Sequence, residues 1–331
     1  MKDVADILAL WERVEKERDS AVLATVVRTQ GSSYRLPGAR LLLTRTGQRA
    51  GAVSGGCLED DLVKKAWWLT QTGPVVRRYD TTPDGELVTS GYGLGCNGII
   101  HVLLERVTPE SPSVLPLLRE VSLERRSIMI RHRHPQDGSE LFIETLTPPV
   151  RLLVFGAGDD AVPVSELARF LGWQVLVLDG RAHYARQEKF PAADAVLVRR
   201  PGELAAQAHI DPWTAAVIMT HSYSQDLEIL RELANQSLIY LGVLGPRKRT
   251  AQLLSEAGLD SEQLGAYVHS PMGLDIGAEG AHEVALSVMA EIQASINARS
   301  GGSLRERSGS IHSRESEPQD ERAWAGSIVC A

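Results

Sequence analysis

The sequence predicts an α/β protein in two parts: an α+β N-terminal domain over residues 1–147, and over 148–297 a parallel sheet with helices on both faces. Two observations carry this reading. From Arg151 onward, short apolar strands (RLLVF, WQVLVLD, AVLV, TAAVIM, YLGVL) alternate with helix-length segments over Ala161–Leu171 and Gln225–Ala234. That alternation builds parallel sheets covered on both faces. The first of these strands also runs straight into Gly156-Ala157-Gly158-Asp159-Asp160-Ala161, a G-x-G-x-x-A turn, and Asp179 ends the next strand 21 residues beyond Gly158. Strand, glycine turn, helix and a downstream acid in this order define a Rossmann-like domain.

The N-terminal elements follow from their periodicity. Val4, Leu8, Trp11 and Val14 recur at helical spacing, so Asp3–Arg18 reads as a helix with one buried face. SAVLATVVR, Ser20–Arg28, is rich in β-branched residues and reads as a strand. Ala39–Thr44 and Arg49–Ser54 form a hairpin around Thr46-Gly47, and a helix follows over Cys57–Thr70. Val75–Tyr79 and Gly98–Val107 are further strands, and Pro109, Pro112 and Pro116 mark a break. SIMIRHRH and ELFIETL form one more hairpin before Pro148-Pro149. In the second half the last helix covers Ala281–Asn297. Residues 298–331, rich in Ser, Arg, Glu and Gly, bury too little apolar surface to order themselves and read as a disordered tail.

Composition narrows the function classes. With 331 residues the chain has room for two cores. A net charge of -7 argues against nucleic-acid and anionic-membrane partners. No apolar run approaches the ~18 residues of a membrane span, and acids interrupt the apolar residues of the first segment, unlike a secretion signal. The three cysteines, Cys57, Cys96 and Cys330, are too few and odd in number for a disulfide framework, which points to a reducing cytoplasmic setting.

Four groups of residues are candidates for chemistry. In the Rossmann turn, Gly156 and Gly158 allow a tight turn and close ligand approach, and Asp179 stands where a ribose-binding acid is expected. Asp159 and Asp160 sit where a pyrophosphate would lie and oppose its charge. Arg181 offsets this or favours a 2′-phosphate. A bound NAD(P) and a Rossmann unit without nucleotide both remain open. In Ser54-Gly55-Gly56-Cys57-Leu58-Glu59, Gly55 and Gly56 expose backbone just before a helix, and Cys57 falls in its first turn, where the dipole favours thiolate while Glu59, Asp60 and Asp61 oppose it. A second glycine-rich loop, GYGLGCNG, holds Gly95 and Cys96. Two glycine-embedded cysteines in one domain suggest a ligand-facing surface; a buried, inert thiol is the plain alternative for each. They are too few for a structural zinc site, and His101 lies inside a strand. The last group is His221, at the end of a parallel strand with Asp226 five residues on, together with the cations Arg247, Lys248 and Arg249, suited to an anion or to solvent.

GSSYRLPGARLLL, GAVSGGCLEDDL and GYGLGCNGIIHVLLE together resemble the N-terminal domain of the XdhC/CoxI family. RLLVFGAGDDAVPV, VLDGR, MTHSYSQD, YLGVLGPRKR and HSPMGLDIGAEGAHEVALSVMAEI resemble its C-terminal Rossmann domain, and the resemblance spans about residues 5–297. It implies a maturation factor for molybdenum hydroxylases such as xanthine dehydrogenase. Such a factor binds molybdenum cofactor (molybdopterin), holds it while a cysteine desulfurase replaces a terminal oxygen on molybdenum by sulfur, and delivers it to the apo-hydroxylase. It also implies a homodimer and an accessory factor rather than a turnover enzyme. Cys57 and Cys96 fall in the family's two glycine-cysteine motifs and become candidate molybdenum contacts, in keeping with the affinity of thiolates for soft metals. One departure is Gly280-Ala281-His282-Glu283, where the family has proline and glutamate before the last helix. Two other readings stand beside this one: a nucleotide-dependent oxidoreductase working through the Rossmann domain, and a non-catalytic scaffold between desulfurase and hydroxylase.

Overall fold

The computed structural model describes residues 2–81, 98–200, 202–259 and 268–308. These divide into two compact units at Pro148–Pro149. No described helix is long and apolar enough to cross a membrane.

The first unit is an antiparallel sheet covered on both faces. Helix α1 (Lys2–Glu17) precedes β1 (Ala21–Gly31), β2 (Arg40–Thr44) and β3 (Arg49–Gly51); α2 (Glu59–Leu69), β4 (Val75–Asp80), β5 (Gly98–Val107) and α3 (Val114–Glu124) follow, and β6 (Ile128–Arg133) and β7 (Glu140–Leu146) make a separate hairpin. The strand order is β3-β2-β1-β5-β4. Val22, Ala24 and Val26 of β1 face one cluster with Leu58, Leu62 and Ala66. Ala21 and Leu23 face the other, with Ile7, Trp11, Leu115 and Leu118. Successive strand residues point to opposite faces, so burial on both explains the unbroken apolar run of β1. Helix α3 arises where the prolines predicted only a break. Ser113 caps it, its hydroxyl accepting from the Leu115 N–H at 3.4 Å. Pro116 lies in the first turn, where its missing N–H costs nothing.

The second unit has the expected parallel sheet, in the order β10-β9-β8-β11-β12-β13. Its elements are β8 (Arg151–Phe155), α4 (Ala161–Phe170), β9 (Gln174–Asp179), β10 (Ala195–Val198), α5 (Leu204–Ala208), β11 (Thr214–Ile218), α6 (Tyr223–Leu233), β12 (Tyr240–Val243), α7 (Arg247–Ala257), β13 (Val268–His269) and α8 (Ala281–Ile296). Helices α4 and α8 cover one face through Val164, Ala168, Val288 and Ile292. Helices α6 and α7 cover the other through Ile229, Leu230, Leu233 and Leu253. The order is that of a doubly wound dinucleotide fold, which places the topological switch point between β8 and β11. Helix α7 was not expected from the sequence: Pro246 is its N-cap, and Gly258, in the left-handed region at φ +72°, ends it. Of the C-terminal segment, residues up to 308 are described and include a single turn of 3-10 helix, Leu304–Glu306.

Candidate functional site

Antiparallel pairing sends three loops of the first unit out of one end of its sheet. Strands β1, β3 and β4 finish there, and β2 and β5 begin there. In register, Gly31 lies opposite Gly98, Asp80 opposite Ile99 and Leu41 opposite Gly51. The 31–39 loop, the 52–58 loop and the two ends of the 81–98 connection therefore share this end. Thr81 and Gly98 are clasped together: the Thr81 N–H and hydroxyl both donate to the Gly98 carbonyl, at 2.9 and 2.7 Å. Gly95 and Cys96 lie outside the described residues.

The 52–58 loop is held by a carboxylate. Glu59 Oε1 accepts from the Val53 and Ser54 N–H groups at 3.0 and 2.8 Å, and the Ser54 hydroxyl donates to Oε2. The same hydroxyl oxygen accepts from the N–H groups of Gly56 and Leu58, both at 3.1 Å. Burial acts to raise the Glu59 carboxyl, but the hydrogen bonds from Ser54 and Val53 outweigh it and hold it below its ordinary range. Glu59, grouped from sequence with the ligand-facing residues, is buried, and these bonds all run to its own loop, so it braces the turn. Gly56 sits at φ +114°, a conformation that a side chain resists, with open space where a Cβ would point. Cys57 is half-buried at the end of this turn. It is not in the first helical turn: α2 begins at Glu59 with Leu58 as N-cap, because Ser54 and Glu59 tighten the chain before it. The ring of Tyr34, a residue sequence reasoning passed over, lies against Gly55, 3.6 Å from the position a Cβ would take, and is 65% exposed. His101 is buried within β5, where burial and then Arg28 and Arg78 lower its imidazole to about 4, so it is neutral at ordinary pH.

In the second unit Gly156, at φ +109°, approaches the carbonyl of Met219 so closely that no Cβ fits. This glycine serves the contact between the loops after β8 and β11. Asp179 is fully buried as a side chain and engaged by its own unit. It accepts from the Ala157 N–H at 2.8 Å and from the Arg181 N–H, Nε and Nη2 at 2.8, 3.0 and 2.8 Å. Burial opposes ionisation here too, and the bonds from Arg181 and Ala157 overcome it, lowering the carboxyl. Arg181, expected to offset the acids of the glycine turn or to favour a 2′-phosphate, is instead bound to Asp179. The two acids meet Lys189 and His221. Lys189 Nζ lies 2.7 Å from Asp159 Oδ1 and donates to the Ala157 carbonyl at 2.8 Å. His221 Nε2 lies 2.7 Å from Asp160 Oδ2. His221 itself is left-handed, φ +58°, an uncommon state for a residue with a side chain. Behind it, buried Asp226 takes the Thr220 hydroxyl and pairs with Arg249 at 2.8 Å. The altered entry to the last helix is accommodated: Gly280 is the N-cap, and Glu283 reaches back to accept from the Gly280 and Glu279 N–H groups at 3.0 and 2.9 Å.

These two units, an antiparallel sheet carrying a glycine-cysteine turn and a doubly wound sheet whose glycine turn is self-paired, define a class of two-domain α/β proteins. The model of the XdhC and CoxI family matches residues 15–80 and that of the XdhC Rossmann domain residues 152–292. A probable xanthine dehydrogenase subunit of Bacillus subtilis is 34% identical over 314 residues, spanning 84% of this chain and 93% of that protein. The chain belongs to the XdhC and CoxI family. The molybdenum cofactor insertion chaperone PaoD of Escherichia coli is 28% identical over 291 residues, 82% of each chain. A solved structure described as a xanthine dehydrogenase from Bacillus halodurans is similar at a TM-score of 0.77 and 30% identity, covering 90% of this chain and 97% of that one.

Proposed function

We propose that this protein is a molybdenum-cofactor chaperone: it holds molybdopterin-bound molybdenum while the metal is sulfurated and passes the cofactor to an apo molybdenum hydroxylase. The observation that carries this reading is the likeness to PaoD, a cofactor insertion chaperone, over 82% of both chains. The site supports it chemically. A cofactor whose pterin brings its own sulfur ligands asks the protein for one thiolate, here Cys57 on its braced turn. Gly55 and Gly56 let the cofactor touch backbone, and Tyr34 offers an exposed ring for a flat pterin to stack on. Cys96, from the connection whose ends Thr81 and Gly98 clasp at the same end of the sheet, is the second candidate contact.

The sulfur donor in this reading is a cysteine desulfurase, and a homodimer is the working assembly. The chain carries the cofactor without turnover of its own. NAD(P) is not the ligand proposed for the Rossmann unit, because Asp179 is committed to Ala157 and Arg181. The test is the molybdenum and pterin content of the protein purified without oxygen, wild type against Cys57→Ala. Retained pterin that falls in the variant supports the reading. A bound nicotinamide nucleotide in its place favours an oxidoreductase, and no ligand at all favours a scaffold.

A further inference from the structure

Between Asp61 and Asp80 the chain carries four cations, Lys64, Lys65, Arg77 and Arg78, and no acid, in a protein whose net charge is -7. Trp67 and Trp68 fall in the same stretch, near the end of α2. The fold brings these residues to one surface. The Tyr79 hydroxyl donates to Asp61 Oδ2 at 3.2 Å, which fastens the start of α2 beside the end of β4. Residues 70–74 join the end of α2 to Val75, so helix and strand run side by side in opposite directions. Asp61, Lys65 and Trp68 recur at helical spacing and therefore line the β4 side of α2. Val75 and Tyr79 face α2, so Arg77 between them does too, on a strand that is the edge of its sheet. Lys65 is paired with Asp61 at 2.5 Å and Arg78 with Asp80 at 2.7 Å. Lys64 and Arg77 are exposed, and among the described residues neither side chain has an ion-pair or hydrogen-bond partner. The two indoles also differ. Trp67 is half-buried, with Arg45 and Arg106 over its ring at 4.7 and 5.2 Å, whereas Trp68 is 67% exposed.

We infer that this surface docks the molybdenum hydroxylase that receives the cofactor, through an acidic face with a pocket for the Trp68 indole. Trp and Arg are the residues most enriched at the energetic centres of protein interfaces, and an exposed indole there supplies the apolar anchor. Charge selects the partner. Lys64 and Arg77 are complemented by carboxylates, the net negative charge of the chain repels nucleic acid, and a second copy meeting the same patch would set cation against cation. Place fits as well: α2 starts at Glu59, directly behind the Cys57 turn, so a protein docked along α2 lies beside that turn. The inference rests on the chaperone reading and names the surface by which the cofactor is handed on.

The test is binding of the full-length protein to the apo molybdenum hydroxylase of its source organism, purified from cells that make no molybdopterin, followed by biolayer interferometry across salt concentrations. Wild type should bind, and more weakly as salt rises. Trp68→Ala should weaken binding roughly tenfold or more, and Lys64→Glu/Arg77→Glu should slow association at low salt. Phe170→Ala removes an aromatic ring that is 74% exposed on the second unit and should bind as wild type does. The replaced side chains are exposed, so all variants should melt with wild type. The proposal is overturned if wild type does not bind the hydroxylase, if Trp68→Ala binds as wild type does, or if Phe170→Ala loses as much. It is overturned equally if a cysteine desulfurase, total tRNA or a second copy of the chain responds to Trp68 and the hydroxylase does not. Pterin content separates this inference from the chaperone reading. Pterin retained without hydroxylase binding removes the docking surface alone, and hydroxylase binding through Trp68 by a protein that carries no pterin removes the chaperone reading alone.

Discussion

His221 Nε2 and Asp160 Oδ2 lie 2.7 Å apart, joining the loop after β11 to the glycine turn after β8 across the switch point of the second unit. The pair is reached from a left-handed backbone, φ +58° at His221. The imidazole is largely exposed, so the bond itself contributes little to stability. The backbone conformation matters more. His221→Gly relieves the left-handed residue, whereas His221→Ala keeps the strain and loses the bond. The glycine variant should be about 1 kcal/mol more stable than the alanine variant, a difference of about 2–4 °C in melting temperature. Equal melting of the two would show that residue 221 is not held left-handed.

Asp179 distinguishes a structural acid from a ligand acid. Its side chain is fully buried and takes four donors from Ala157 and Arg181. The Arg181 side chain is 36% exposed and can be solvated, so the loss falls mainly on the acceptor of the Ala157 N–H; Asp179→Ala should cost about 1–3 kcal/mol and melt roughly 2–12 °C lower with no ligand present. An acid reserved for a ribose behaves otherwise: its removal leaves the melting temperature intact and abolishes nucleotide binding. Differential scanning calorimetry of the unliganded variant separates the two.

Glu59 ties the cysteine turn to pH. Its carboxyl is held below its ordinary value of 4.5 by Ser54 and Val53 against the opposing effect of burial. A carboxyl lowered on folding contributes stability that is fully present above about pH 4.5 and is lost as the pH falls through its folded value. Glu59→Gln removes the charged acceptor and should cost about 1–3 kcal/mol at pH 7. The cost should shrink as the pH falls below about 4.5 and vanish past the lowered folded value, where the wild type loses the same charge. A urea denaturation series across pH reads this directly; a cost that stays constant to pH 3 would place the stabilisation elsewhere.

How much of this was legible depends on how local the signal is. The parallel sheet was readable because β8, β9 and β11 are short apolar runs buried on both faces, each followed by a turn. Helix α3 was hidden because Pro109, Pro112 and Pro116 read as breakers, although Pro116 falls in the one turn that tolerates proline. Helix α7 was hidden because its first turn is cationic, the reverse of the usual preference. The glycine turn before α2 could be read, but not that it runs on through Cys57 to Leu58, nor that Glu59 folds back to brace it, since a carboxylate near a helix start ordinarily stays in solvent. The partners of Asp159 and Asp160 were out of reach in principle. Lys189 and His221 lie 30 and 61 residues downstream and are brought to the turn only by the order β9-β8-β11. Read without them, the two acids seemed to repel any phosphate; read with them, each is already paired.

In the proposed chaperone, Cys57 is the residue through which the molybdenum cofactor is retained. The most direct measurement is the pterin and molybdenum content of the anaerobically purified chain, compared between wild type and Cys57→Ala at matched folding. The half-buried thiol should cost about 1 kcal/mol on removal, so the variant stays folded. Wild type should carry both pterin and metal, and Cys57→Ala should lose roughly tenfold or more of each. Equal cofactor content in the two folded proteins would contradict the claim.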